Sequence, residues 1–289
     1  RGLPMEPLLL LRRLPHLGFV HRDGPDRAAA ATPRTSRRVV RRECVSKPAP
    51  HPQRPVVARL RVRYAKRGRM RFASARDFQR SLERALRRAR VPVAYTQGFS
   101  PHPRISYAPA VPTGVASEAE YVEIAMQQAV TPDVLAESLD AALPDGFDVL
   151  SVVEAQGASL GERVSGPGTG SVWRIRFGHV AASDLEKAVA DVLALATWTR
   201  QRKTKSGHTQ IDVRDALIRA SVASSDHDEP DCAILQAVVR HGTPSVRPDD
   251  VLAVLRDVAG LDPPVPPVAT RLAQGPLDEE SGAVLDPLS

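Results

Sequence analysis

Along residues 56–64 the apolar positions Val57, Leu60, Val62 and Tyr64 are interleaved with Arg59, Arg61 and Arg63. This near-period of two predicts a strand with its arginines on the opposite face. From Ala75 the period lengthens: Phe78, Leu82, Ala85, Leu86 and Ala89 fall on one stripe, which predicts an amphipathic helix over 75–89. Ser74 followed by Asp77 three residues later is the signature of a capping box at its start. Two further strands are expected over 105–111 and 121–126. A helix should open at Pro132 with Leu135, Leu139 and Leu143 on one side, and a strand should cover 147–154. The order βαββαβ is the split pattern of a ferredoxin-like sandwich, an antiparallel sheet with two helices on one face.

Five glycines in residues 156–170 suggest a linker, after which the plan repeats. Strands are expected over 172–177, 198–203, 209–213 with an extension to 222, and 233–240. Helices are expected over 184–196, capped by Ser183 with Glu186, and over 249–259 behind Pro248, with a last strand over 268–272. The fold class read from this pattern is α+β: two ferredoxin-like (βαββαβ) halves joined by a Gly-rich linker, with a disordered N-terminal tail. The corresponding divisions are 1–55, 56–155, 156–170, 171–275 and a loose polar tail over 276–289. Residues 1–55 hold nine prolines and no sustained period. They read either as a disordered basic tail or as an upstream extension from a misplaced start, so no function is assigned to them.

Composition changes this picture little. Apolar residues at 42% and charged residues at 25% are ordinary for a globular chain, and 289 residues suffice for two cores, although aromatics make up only 4%. Cys44 and Cys232 have no close partner in sequence, which argues for a reducing compartment and against a cysteine-ligated cluster or zinc ribbon within this chain. No apolar run approaches the ~20 residues that span a bilayer. The expected location is cytoplasmic.

Charge changes it more. The net charge of +7 conceals +8 over residues 1–55, +12 over 56–104 and −13 over the remainder. So steep a local excess anticipates an anionic partner. At about 100° per residue Arg76, Arg80, Arg84, Arg87 and Arg88 occupy roughly one third of the helix circumference, opposite the apolar stripe. Guanidinium groups there suit phosphates, because they stay charged and donate bidentate hydrogen bonds. With Lys66, Arg69 and Arg71 from the preceding connection, and His102 and Arg104 from the loop Gly98-Phe99-Ser100-Pro101-His102-Pro103-Arg104, they form the candidate nucleic-acid or anion site. The two prolines restrict the backbone around His102. Arg202, Lys203, Lys205 and Arg214 form a smaller second basic group, with Asp212 and Arg214 as a candidate ion pair. Glu118, Glu120 and Glu123 lie on one strand, where alternation separates their faces, so neither a metal site nor catalysis is assigned to them.

The words Tyr64-Ala65-Lys66-Arg67-Gly68, Arg71-Phe72-Ala73-Ser74, Leu82-Glu83-Arg84-Ala85-Leu86-Arg87-Arg88-Ala89, the loop 98–104 and Gly114-Val115-Ala116-Ser117-Glu118-Ala119-Glu120-Tyr121 resemble those of a bacterial domain of unknown function linked to radical S-adenosylmethionine proteins, in its stand-alone form. The resemblance runs from about Val57 to Gly146 and more weakly through Lys203, Lys205, Asp212 and Arg214 to Thr270-Arg271. It implies an association with radical chemistry and no mechanism. Where relatives read Ser-His-Leu-Asp, this chain has Ser74-Ala75-Arg76-Asp77; the capping residues are kept and the histidine is not. The three-cysteine cluster motif is absent, so no cofactor is assigned to this chain and any radical must come from a partner.

The leading expectation is a noncatalytic RNA-binding or RNA-modification accessory protein whose partner is RNA or another polyanion. The alternative is a docking or substrate-presenting subunit for a separate radical S-adenosylmethionine enzyme. A stand-alone enzyme using His102 with Glu120 is the least favoured reading.

Overall fold

A computed structural model describes residues 55–204, 207–224 and 232–289. Its first elements follow the local pattern closely. Strand β1 spans Ala58–Lys66, helix α1 Ala75–Arg88, and strands β2 and β3 Ile105–Tyr107 and Ala116–Met126. Helix α2 covers Pro132–Asp140 and strand β4 Val149–Glu154. A 3-10 turn at Gly68–Phe72 connects β1 to α1. The capping box is present: Ser74 Oγ accepts from the Asp77 amide, and the Ser74 amide donates to Asp77 Oδ2 at 3.0 Å. β3 begins five residues earlier than expected and β2 ends four earlier. The chain after Tyr107 runs through Pro109 and Pro112, and proline cannot donate to a ladder.

The strands of this half run in the order β4-β1-β3, with β2 paired to the other edge of β3, all antiparallel. Leu60, Val62 and Tyr64 of β1 and Val122, Ile124 and Met126 of β3 point to the α1 and α2 side, where Phe78, Leu82, Leu86, Leu135, Leu139 and Phe147 complete a core. Burying each such side chain contributes about 1.5–3 kcal/mol. Tyr64 stacks on Phe78 with ring centroids 4.0 Å apart.

The region expected to be a plain linker contains helix α3, Leu160–Ser165, started by a Ser159–Glu162 capping box. It packs Leu160 and Val164 on Ala119 and Tyr121, the face of β3 turned away from α1. The remaining elements are β5 (Thr169–Gly178), α4 (Ala182–Leu193), β6 (Thr199–Thr204), β7 (Gly207–Asp212), α5 (Val213–Ala216), β8 (Leu217–Ser224), β9 (Cys232–Arg240), α6 (Pro248–Ala259), β10 (Val268–Asp278) and β11 (Ala283–Val284). Three expectations are corrected here. α4 is preceded by Ala181 at its N-cap and uses no Ser183 cap. The strand expected from 209 to 222 is broken into β7 and β8 by the single turn α5, because the Asp212 carboxylate caps the Asp215 amide. The tail over 276–289 is not loose: β10 continues to Asp278 and pairs with β11, Leu288 packs beside α3, and Arg163 Nε donates to the Pro287 carbonyl at 2.6 Å.

The second half does not stand apart. β10 pairs antiparallel with β5 and, at Thr270 and Arg271, parallel with Ala116 and Ser117 of β3. Among the described residues the main path of the sheet is therefore β4-β1-β3-β10-β5-β9-β8, nine strands with β2 and β11 attached. A separate β6–β7 hairpin lies outside it. The described residues form one compact unit. Among the described residues the architecture is mixed α+β, a large and mostly antiparallel sheet with six helices.

Candidate functional site

The register of β1 decides which arginines are available to a ligand. Arg59, Arg61 and Arg63 alternate with core residues and so lie on the side of the sheet away from α1. There they are consumed by the fold. Arg61, 4% exposed, donates to Glu123 at 3.0 Å and to the carbonyls of Gln156 and Ala158 at 3.0 and 2.6 Å. Arg59 also reaches Glu123, and Arg63 donates to the Glu118 and Leu272 carbonyls. Arg67 bonds both Glu118 and Asp148, a pairing that raises its pKa further. The strand arginines thus extend no surface from α1, and the basic excess of residues 56–104 narrows to the helix face and its flanking segments.

The narrower face is open. Arg76, Arg80, Arg84, Arg87 and Arg88 are all exposed on the outer side of α1, whose inner side buries Phe78, Leu82, Ala85 and Leu86. Arg84 donates to Ser81 and Arg88 to the Ala142 carbonyl, while Arg71 lies over the Phe72 ring with 4.6 Å to its centroid. Among the described residues, no carboxylate forms an ion pair with Arg69, Arg71, Arg104 or any of the five helix arginines. Phe72, just before α1, is 59% exposed, and Phe99, in the loop after it, is 67% exposed. Exposed aromatics can stack on planar groups.

The loop 98–104 is tied by its backbone and leaves its side chains outward. The His102 amide donates to Thr96 Oγ1 at 3.0 Å, Tyr95 bridges Pro103, and the Arg104 amide donates to the Ala94 carbonyl. His102 is exposed and Arg104 half-buried. Glu120 is fully buried and engaged with Arg271, so the fold gives His102 and Glu120 no shared contact. Lys66 also leaves the surface set: it is buried, and burial lowers its pKa while Glu120 opposes that shift.

The second basic group disperses. Arg202 donates to Asp250 at 2.8 Å and to the Ser245 carbonyl, and Lys203 is exposed. Lys205 lies outside the described residues. Arg214 spends its guanidinium on the carbonyls of Leu195 and Leu217, and Asp212 is the α5 cap, so the two form no ion pair.

Residues that drew little notice in the sequence converge where β3, β10 and β5 adjoin. Arg271 Nη2 donates to Glu120 Oε1 at 2.5 Å and to the Pro109 carbonyl at 3.2 Å, and its guanidinium lies 5.8 Å from the Trp173 ring centroid. Across β5, Ser171 Oγ is 2.6 Å from His241 Nε2, and Thr169 Oγ1 is 2.9 Å from His241 Nδ1. The single Thr169 hydroxyl proton is directed to the Gly166 carbonyl at 2.7 Å. Thr169 therefore accepts from His241 Nδ1–H, and Nε2 is left as acceptor for the Ser171 hydroxyl. Burial, then the nearby Arg271 charge, lower the His241 pKa to about 4 against an opposing effect of the Val164 carbonyl. The imidazole stays neutral at physiological pH. No periodicity marks these residues, because they meet only through the β3–β10 and β5–β9 pairings; Thr270-Arg271 alone carried a sequence signal, as a weak word in the resemblance.

Among the described residues no cluster of His, Cys, Asp and Glu is arranged to hold a metal ion, and no described helix is long and apolar enough to cross a membrane. No curated protein matches the sequence significantly. The model of one family, described as "Uncharacterized protein conserved in bacteria", DUF2344, matches residues 59–248, and this stretch includes β1, the arginine face of α1 and the Ser171–His241 pair; the chain belongs to that family.

Proposed function

We propose that the protein binds RNA as a noncatalytic accessory factor, gripping the phosphate backbone with the outer face of α1. One observation carries this reading: among the described residues, no carboxylate forms an ion pair with the five exposed arginines on this helix face, whereas the arginines of the adjoining strand are neutralised within the fold. Like charges at four-residue steps repel one another, and a polyanion that neutralises them relieves that repulsion. Phe72 and Phe99 supply stacking surfaces near the two ends of that helix in the chain, which favours a single-stranded segment over a duplex. Strand order β4-β1-β3-β2 with α1 and α2 against one face supports the finer description of the first half as ferredoxin-like. The resemblance to radical S-adenosylmethionine-linked domains supports a role beside an enzyme that supplies the chemistry, in the cytoplasm.

The test is retention of a labelled single-stranded RNA by the full chain over a salt series. Wild type should bind with log affinity falling by about 0.7 per phosphate neutralised as log salt rises. Arg80→Glu, Arg84→Glu and Arg87→Glu combined should abolish retention at moderate salt. Unchanged binding with a flat salt dependence eliminates the reading. Loss of a copurifying enzyme with RNA binding intact moves the assignment to a docking subunit.

A further inference from the structure

A cavity of about 430 Å³ lies between the sheet, the loop through Pro109 and Pro112, and the segment leading into α6. Its wall is chemically one-sided: among the described residues Arg202, Arg247 and Arg271 line it, and no carboxylate does. Ser171, His241 and Gln274 add polar atoms on the sheet floor, and Trp173 and Val111 add apolar surface.

Two features of this wall suit it to a ligand. The Arg271 side chain is 7% exposed, yet its Nε–H has no acceptor. Glu120 and the Pro109 carbonyl occupy Nη2 only, and leaving a buried donor of a charged group unmade is costly. On the floor, Ser171 directs its proton to His241, and Gln274 Nε2 donates to the Ala119 carbonyl at 2.6 Å. Both therefore keep oxygen lone pairs for a donor on the ligand. Glu120 and Asp250 hold Arg271 and Arg202 in place from behind the wall, so the guanidinium groups are positioned before any ligand enters. Preorganised donors of this kind cost little to use on binding.

We propose that this cavity is a binding site for a small organic anion, a molecule with one terminal oxyanion for Arg271 and a flat or apolar body for Trp173. It is separate from the RNA face on α1 and rests on none of the arginines invoked there. The same recognition chemistry serves a phosphate monoester and a carboxylate, and two probes tell them apart.

Isothermal titration of the full chain with phenyl phosphate, benzoate and the neutral control phenol tests the site. At least one anion should bind saturably with a stoichiometry of one, and phenol should not. Tighter binding of phenyl phosphate assigns a phosphate ester, and tighter binding of benzoate a carboxylate. Arg271→Lys keeps a cation for Glu120 but removes the guanidinium; it should weaken binding roughly tenfold or more, with thermal melting reporting that the fold is retained. Arg247→Ala, at an exposed position that cannot disturb the core, should weaken binding by a smaller factor. The combined Arg80, Arg84 and Arg87 reversal should leave anion binding unchanged even where RNA retention is lost, which separates failure of this site from failure of the RNA reading. Absence of saturable binding by either anion, or equal binding by wild type, Arg271→Lys and Arg247→Ala, overturns the proposal.

Discussion

Arg271 of β10 and Glu120 of β3 form an ion pair 2.5 Å apart at the place where the two halves of the sheet join, with 7% and 2% of their side chains exposed. The β3–β10 ladder itself has only two paired positions, Thr270 with Ala116 and Arg271 with Ser117. The pair therefore secures a short seam. Removing one partner leaves a buried charge uncompensated. Glu120→Gln should cost about 3–5 kcal/mol in urea unfolding, whereas replacing both residues with Leu and Met should recover most of that loss. A small effect of Glu120→Gln would show that the seam is held by the backbone alone.

The arginines divide into those that hold the fold and those that do not. Arg80→Ala should change stability by no more than about 0.5 kcal/mol, because it is exposed and unpaired. Arg76, Arg80, Arg84 and Arg88 follow one another at four-residue steps, where like charges repel, so added salt should stabilise the protein slightly. Arg61→Ala leaves Glu123 with Arg59 alone and takes the donor from two carbonyls, and should cost about 3 kcal/mol. RNA retention should rank the two variants in the reverse order.

His241 makes stability depend on pH in a defined window. Its folded pKa is about 4 against an ordinary value of 6.5, so between these values the unfolded chain binds the extra proton. The contribution is complete above pH 6.5, declines as pH falls and is absent below pH 4. Its full size is about 3 kcal/mol. Comparing unfolding free energies of wild type and His241→Gln between pH 7 and pH 4 should show a flatter dependence in the variant; parallel curves would mean that His241 does not titrate differently on folding.

Gly146 has a φ of +91°, and a Cβ there would meet the Arg67 carbonyl oxygen at 2.8 Å and Met70 Cγ at 3.2 Å. The Arg67 amide donates to the Gly146 carbonyl across the same approach. Gly146→Ala combines backbone strain with a clash against main chain and should destabilise by about 2 kcal/mol or more. Thermal unfolding reads this directly, and an unchanged melting temperature would show that the turn relaxes freely.

By itself the sequence determined what depends on neighbours a few residues away. The two-residue alternation at Leu60, Val62 and Tyr64, the helical stripe from Phe78 to Leu86 and the Ser74–Asp77 box each act within one element, and each is found where local physics puts it. The basic face of α1 was legible for the same reason, since helical geometry alone places its arginines together. Tertiary structure decided which charges remain free. Arg61 and Arg76 look equivalent in composition, but Arg61 meets Glu123, 62 residues away, and Arg76 pairs with no carboxylate among the described residues. The arginine-lined cavity was illegible because its members reach one another through the β5–β9 and β3–β10 pairings, and the residues paired in the latter lie 154 positions apart. No period or local spacing encodes such a pairing; it exists because closing the long loop is repaid by burying the seam between two hydrophobic cores.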